Sequence, residues 1–391
     1  MNDSTPGTDP SARPAVRALM ASQIREVANA GLVQSGVLPF WFGEPDEVTP
    51  AFICEAAAQS LARGETFYSQ NFGIPELREA IGAYISRLHR PTSADHVAVT
   101  ASGMSALMLT VEALVSPGDR VVVVTPLWPN LVEIPKILSA NVVCVPLAFT
   151  ANGWTLDLDR LLAALTPDTR VVMINSPNNP TGWTISRADQ QAILAHCRRR
   201  GIWIVADDVY ERLVFDGELC APSFLDIAVP EDRVVSTNSF SKSWLMTGWR
   251  LGWIVAPAAL MPDLGKLIEY NTSCSPVFVQ RAGVVAITGG EPTIRHTLER
   301  YSAARDFLVS ALAQLPQIAV APPAGAMYAF FRVEGMTDSL SFCKRLVREA
   351  HLGLAPGSAF GPEGEGFVRW CFASSPARLA DGVARLARFL G

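Results

Sequence analysis

Lys242 stands where a lysine can become a nucleophile. It follows the apolar pair Val234–Val235 and the small-residue turn Ser239-Phe240-Ser241, and it precedes Trp244, Leu245 and Met246. An amine in such surroundings has a depressed pKa, so part of it is neutral and can attack an aldehyde to form a Schiff base. Ser239, Ser241 and Arg250 are near enough in the chain to hold a phosphate beside it. Arginine suits that task because its planar fork grips phosphate oxygens two at a time. The plainer reading of the segment is a helix N-terminus with hydroxyl caps.

Three further groups sit at similar junctions. Asn175-Ser-Pro-Asn178-Asn179-Pro180-Thr-Gly182 follows the apolar run Arg170–Ile174. It is a turn by composition, and an amide there can also donate to a phenolate oxygen without adding charge. Asp207-Asp208-Val209-Tyr210 ends another apolar run. The acids either cap a helix or supply one buried carboxylate to a cationic ring nitrogen, since a buried carboxylate needs a partner. Thr100-Ala-Ser102-Gly103-Met104-Ser105 reads as a strand–turn–helix junction. Glycine permits close backbone approach there, and the free N–H groups of a helix start attract anions. Together the four groups offer an amine, a buried acid, a phosphate cradle and oxygen-directed donors, which is what a pyridine aldehyde phosphate requires.

Each group has to be held by the element before it. Candidate strands are Val97–Thr100, Arg120–Thr125, Asn141–Pro146, Arg170–Asn175, Trp203–Asp207, Val234–Asn238 and Gly252–Ala256. Several are apolar throughout, the mark of strands buried on both faces of a largely parallel sheet. Helical stretches at Ser105–Val115, Leu131–Ser139 and Arg187–Arg200 alternate with them, which is the α/β pattern. In such sheets ligands bind beyond the carboxyl ends of the strands, where all four groups fall. The tail differs: Glu291–Leu315 reads as one long helix or two short ones. Met327–Val333, a helix near Ser339–Glu349, Phe367–Ala373 and a closing helix from Pro376 follow. The expected fold class is α/β: a large domain with a mostly parallel seven-stranded sheet flanked by helices, plus a smaller α+β domain formed by both chain ends. The expected division is a mobile tail at 1–12, a small domain of 13–49 and 291–391, and a large cofactor-binding domain of 50–290.

The chain has 391 residues, of which 49% are hydrophobic and 18% charged, enough for two domains with sizeable cores. A net charge of -5 with no run of one sign argues against nucleic acid as a partner, while a small anion needs only a few placed cations. The seven cysteines are odd in number and never spaced as a metal pair. Most lie in apolar runs, so buried free thiols and a reducing cytoplasm are expected, and no metal site. The start MNDSTPGTDPSARP lacks the basic-then-apolar order of a secretory signal, and no apolar stretch reaches membrane-spanning length.

The ordered motifs resemble the fold-type I pyridoxal-phosphate-dependent aminotransferases, class I/II, the branch that includes bacterial aspartate and aromatic enzymes. The resemblance runs from about Gly43 to the end. It rests on Gly43-Glu-Pro-Asp46, Tyr68 leading to Gly73-Ile-Pro-Glu-Leu-Arg78, Ser102-Gly-Met-Ser105, Trp128, Asn178-Asn-Pro-Thr-Gly182, Asp207 with Tyr210, Ser239 to Lys242, Gly248-Trp-Arg250 and Arg369. It implies a homodimeric enzyme that binds pyridoxal 5'-phosphate and moves an amino group from an L-amino acid to a 2-oxo acid. Lys242 would form the Schiff base and shuttle the proton, and Asp207 would pair with the ring nitrogen. Asn179 and Tyr210 would bond the phenolic oxygen, and Trp128 would stack on the ring. Gly103, Met104, Ser105, Ser239, Ser241 and Arg250 would hold the phosphate, with Tyr68 reaching the neighbouring subunit's cofactor. Arg369 would grip the substrate carboxylate against Gly43, beside Trp128 and Asn179.

This chain departs from the family pattern in places. Ser102-Gly-Met-Ser105 stands where many relatives carry Ala, Lys or Thr and then Gln. Trp41-Phe42 is bulkier than usual, and Thr49-Pro50 follows Glu47-Val48 in place of the common Phe-x. The Trp41-Phe42 and Thr49-Pro50 changes could reshape the side-chain pocket, for which Trp41, Phe42, Phe278 and Tyr328 are candidate lining residues. The same scaffold also supports β-elimination lyases, and a non-catalytic sensor is a reading of a different class. Sensors of that kind carry an added N-terminal helix-turn-helix domain, for which the fifty residues before the large domain are too few.

Overall fold

The computed structural model describes residues 11–391; the expected mobile tail falls almost wholly on 1–10, outside the described residues. The seven candidate strands form one sheet. Its order is Val97–Thr100, Gly252–Val255, Val234–Ser239, Trp203–Asp207, Thr169–Asn175, Arg120–Thr125 and Asn141–Pro146. Six strands run one way; Gly252–Val255 lies antiparallel to both of its neighbours. The all-apolar strands behave as their composition requires. Val121 and Val123 enter one core cluster, while Val122 and Val124 enter the cluster on the opposite face. Val171 and Met173 divide from Val172 and Ile174 in the same way. Period-two alternation with both faces covered is what a sheet between two helix layers demands. Full burial of one such side chain stabilises by about 1.5–3 kcal/mol.

Helix starts set the geometry at the sheet's carboxyl edge. The first crossover helix is Gly103–Leu114, two residues earlier than expected, because the Ser102 hydroxyl accepts from the Ser105 amide at 3.0 Å and caps it. Gly103 and Met104 thus lie in the first turn, where N–H groups lack helical partners. Helix Pro129–Ile137 begins directly after Trp128 with proline at its first position. Arg187–Arg200 has the expected bounds, capped by Ser186 and ended by Gly201 at φ +67°.

The tail forms a single helix, Glu291–Leu312, and then a four-stranded antiparallel sheet. Its order is Ile318–Ala319, Tyr328–Val333, Phe367–Cys371 and Ala355–Pro356. Ser339–Ala350 and Pro376–Leu390 are its helices. The N-terminal segment packs here: Leu38–Pro39 pairs in parallel with Leu352–Gly353, and helix Gln23–Leu32 buries Ile24, Val27 and Ala28 in the cluster that holds Leu346 and Leu379.

Cysteine burial is less complete than composition suggested. All seven thiols are free, but only Cys197, Cys343 and Cys371 are buried, and Cys54 and Cys144 are exposed. Alternating side chains on short strands and helices put some members of an apolar run outward. No helix among the described residues is long and apolar enough to cross a membrane, and no cluster of metal-ligating side chains occurs among them.

Candidate active site

A cavity of about 470 Å³ opens at the carboxyl edge of the large sheet. It gathers Gly103 and Met104 from the first helix start, Trp128 and Asn179 from two loops, Asp207 and Tyr210 from one strand end, and Ser239, Ser241, Lys242 and Arg250 from another. The other sheet and its N-terminal attachment supply Arg369 and Gly43. Two residues expected at the site lie outside it. Ser105 lines an adjoining apolar cavity, and Tyr68 is 89% exposed on the surface of the single chain.

Neither acid of the Asp207-Asp208 pair caps a helix, because the chain continues as a turn. Asp207 ends its strand inside the cavity, and burial, followed by the charge of Asp208, pushes its carboxyl up to about 7, against the pull of the Val209 amide and Lys242. Asp208 does not line the cavity; its carboxylate accepts from the hydroxyls of Ser236 at 2.6 Å and Ser223 at 3.1 Å.

Lys242 is likewise in a turn and not at a helix N-terminus. Its amine donates to the Gly43 carbonyl and lies 5.8 Å from the centre of the Tyr210 ring. Burial pulls the amine down to about 8, and the positive charges of Arg369 and Arg250 act in the same direction. Gly43 has no room for a side chain: a Cβ there would come within 1.9 Å of the Tyr328 hydroxyl. That hydroxyl pairs with the Tyr210 hydroxyl at 2.7 Å, so two phenols and one amine share the floor of the cavity.

At the opposite end the backbone closes on itself. A Cβ on Gly252 would lie 2.5 Å from the Gly103 nitrogen, and one on Gly103 would lie 3.0 Å from the Ser239 Cβ. The Ser239 hydroxyl donates to Ser241 at 2.8 Å. Arg250 is held at φ +53° after the short helix Thr247–Trp249, a conformation that costs about 1–2 kcal/mol outside glycine. Strain of this kind collects at ligand sites. Helix-start amides, two hydroxyls and a guanidinium make a cradle for a phosphate.

Arg369 is buried on strand Phe367–Cys371. It donates to the Asn179 side-chain oxygen at 2.8 Å and to the Trp41 carbonyl, and its guanidinium lies 4.5 Å from the Tyr328 ring centre and 4.8 Å from that of Phe360. Its Nε is buried without a partner, and no acid side chain pairs with it among the described residues. A fixed, uncompensated guanidinium facing a cavity suits a carboxylate. Asn179 is placed by the Asn175 side chain, which accepts from its amide at 2.8 Å, and its own carbonyl receives the Trp128 amide at 2.9 Å.

The pocket candidates divide. Phe42 and Tyr328 line the cavity, whereas Phe278 packs against a core cluster. Trp41 contributes only its carbonyl, for its ring fills the space over Gly31 and Gly353. Thr49 bonds the Leu245 carbonyl at 2.6 Å and the Trp249 indole at 2.9 Å, away from the cavity. Sequence reading missed Ile24 and Arg25, which helix Gln23–Leu32 brings to the rim, with the Arg25 guanidinium 4.6 Å from the Phe42 ring centre. Nothing in local spacing ties that amphipathic helix to the edge of a sheet formed far along the chain.

Comparison with known proteins gives the family. Residues 36–386 match the family model described as aminotransferase class I and II. The chain belongs to that family. An aspartate aminotransferase of Pyrococcus horikoshii is 34% identical over 373 residues, 94% of each chain. An arginine–pyruvate transaminase of Pseudomonas aeruginosa is 34% identical over 348 residues, 88% of each. The crystal structure of a Thermotoga maritima aspartate aminotransferase superposes with a TM-score of 0.89 at 34% identity, covering 97% of this chain and all of that one. The protein is therefore an aminotransferase of the pyridoxal-phosphate-dependent kind, that being the cofactor its family uses.

Proposed function

We propose that the protein binds pyridoxal 5'-phosphate on Lys242 and moves an amino group from an L-amino acid to a 2-oxo acid. The observation that carries this is the convergence of a low-pKa amine, a buried acid, a phosphate cradle and an unpaired buried guanidinium in one cavity. The donor set fits the cofactor: Gly103, Met104, Ser239, Ser241 and Arg250 would hold its phosphate. Asp207 would pair with its ring nitrogen, Asn179 and Tyr210 would bond its phenolic oxygen, and Trp128 would cover its ring. When bound, the cofactor supplies an electron sink for the carbon that loses its proton. Arg369 orients the substrate by its α-carboxylate, with Gly43 and Trp128 alongside. The free Lys242 amine would act as the base that takes the proton from the substrate α-carbon and as the acid that returns one. Its depressed pKa suits it to accept and give that proton near neutrality.

We further propose a division into 13–49 with 291–391 and 50–290, supported by the shared cluster of the two chain ends. A homodimer is supported by the exposed aromatics Phe67, Tyr68 and Tyr270, with Tyr68 reaching the neighbouring site. Seven free thiols accord with a reducing cytoplasm. The test is a half-reaction. An amino acid donor alone should convert the bound cofactor stoichiometrically to its amine form and release one 2-oxo acid, and an acceptor should restore the starting spectrum. Continuous release of ammonia without acceptor would contradict the assignment.

A further inference from the structure

Behind the cavity lies a group of buried charges that neither binding nor proton transfer uses. Glu211, four residues after Asp207, accepts from the Tyr84 hydroxyl at 3.0 Å and meets Nε2 of His89 at 3.1 Å. The other ring nitrogen of His89, Nδ1, lies 2.7 Å from the Asp226 carboxylate. The His89 side chain is wholly buried. A neutral imidazole can donate from only one nitrogen; a carboxylate on each calls for the imidazolium.

The surroundings agree. Asp226 also receives Arg187 and the Ser223 amide. Ser223 in turn donates to Asp208, the acid next to Asp207. Tyr84, on the helix that His89 ends, is held neutral by burial; buried Arg212, in the turn next to Glu211, is matched by Glu291. The nearby Cys220 thiol is pushed up to about 12 and carries no charge near neutrality. Asp208, Glu211 and Asp226 thus face His89 behind the Asp207–Glu211 turn, with Arg187 also on Asp226 and Lys242 on the cavity side of Asp207. Burial works against the charge on His89, but the hydrogen bonds and charges of Asp226 and Glu211 outweigh it and push the ring up to about 10.

We propose that His89 is a positioning residue for the cofactor's acid: held as an imidazolium between Glu211 and Asp226, it offsets the carboxylates behind the turn, Asp208 among them, and through Asp208 bears on the electrostatic potential at Asp207. This rests on the reading that Asp207 faces the ring nitrogen. Without the cation, the potential in the cavity becomes more negative and protonated forms in front of Asp207 are favoured. In an effective dielectric of ~20, a unit charge moves a neighbouring protonation equilibrium by about one pH unit over roughly 10 Å.

The experiment uses the holoenzyme with His89→Gln, Glu211→Gln and both together. The readouts are the pH midpoint of the visible absorbance change and the protonation state of His89 by histidine-selective nitrogen NMR. His89→Gln should raise the midpoint by about one unit, Glu211→Gln should lower it, and the pair should return it to near the parent value. The parent His89 should remain doubly protonated at pH 8. Unmoved midpoints in folded single variants, or a neutral His89 at pH 8, would overturn the proposal. If His89→Gln does not fold, Glu211→Gln and the NMR state still decide it. A parent protein with no covalently held cofactor would instead count against the Lys242 reading, and the NMR measurement would still judge His89.

Discussion

Lys242 works at the residue scale through its pKa. A folded value of about 8 against an ordinary 10.5 means that half of the amines are neutral near pH 8. We expect capture of pyridoxal phosphate by the apoenzyme, followed by absorbance, to rise with pH through a midpoint near 8; a midpoint near the ordinary lysine value would refute the desolvated environment. The sign for stability is opposite in kind to that of His89. Lys242 has a lowered folded pKa, so its burial costs stability below about 10.5 and most below about 8. His89 has a raised one, so its contribution is full below 6.5 and is lost as pH rises through about 10. At this scale the sequence was informative where side-chain type restricts chemistry, as for Lys242, Asp207 and Arg369. It was silent where the chemistry comes from backbone, as with the Trp41 carbonyl that holds Arg369, or from a non-local pair such as Tyr210 and Tyr328.

Elements matter because strand ends and helix starts carry the site. Gly252 lies in the one antiparallel strand and has the phosphate loop against its Cα: an added Cβ would meet Gly103 nitrogen at 2.5 Å, Ser102 carbonyl carbon at 2.6 Å and Asn238 oxygen at 2.7 Å. None is a flexible side-chain tip, so Gly252→Ala must displace the cradle. We expect a loss of about 1–3 kcal/mol in stability and weaker cofactor retention, read from thermal unfolding and from the dissociation constant for pyridoxal phosphate. Helix Gln23–Leu32 makes a separate contribution by bringing Arg25 to the rim. Arg25→Met should weaken dicarboxylic 2-oxo acids by about tenfold in kcat/KM and leave pyruvate nearly unchanged, because only the former carry a second anion. Equal effects on both would deny Arg25 that role. Strand positions were legible because an all-apolar run buried on two faces has few other homes. The start of Gly103–Leu114 was read two residues late because its cap, Ser102, resembles any turn serine until its hydroxyl is seen on the Ser105 amide.

For the whole molecule, the chain must bring its two ends together before the site is complete. Gly43 and Arg369 reach the cavity from opposite ends of the sequence, while Lys242 and Asp207 come from the middle. Motif order made the ensemble recognisable, but the pairing of Leu38–Pro39 with Leu352–Gly353 that places Gly43 is too short to leave a pattern. Tyr68, 89% exposed, does not line the cavity of its own chain. All these parts converge on Lys242, the proposed carrier of the cofactor. Borohydride reduction of the wild-type holoenzyme, followed by peptide mapping by mass spectrometry, tests that role most directly. One reduced pyridoxyl adduct per chain is expected, on the peptide containing Lys242. An adduct on another lysine, or none on a protein that still transaminates, would contradict it.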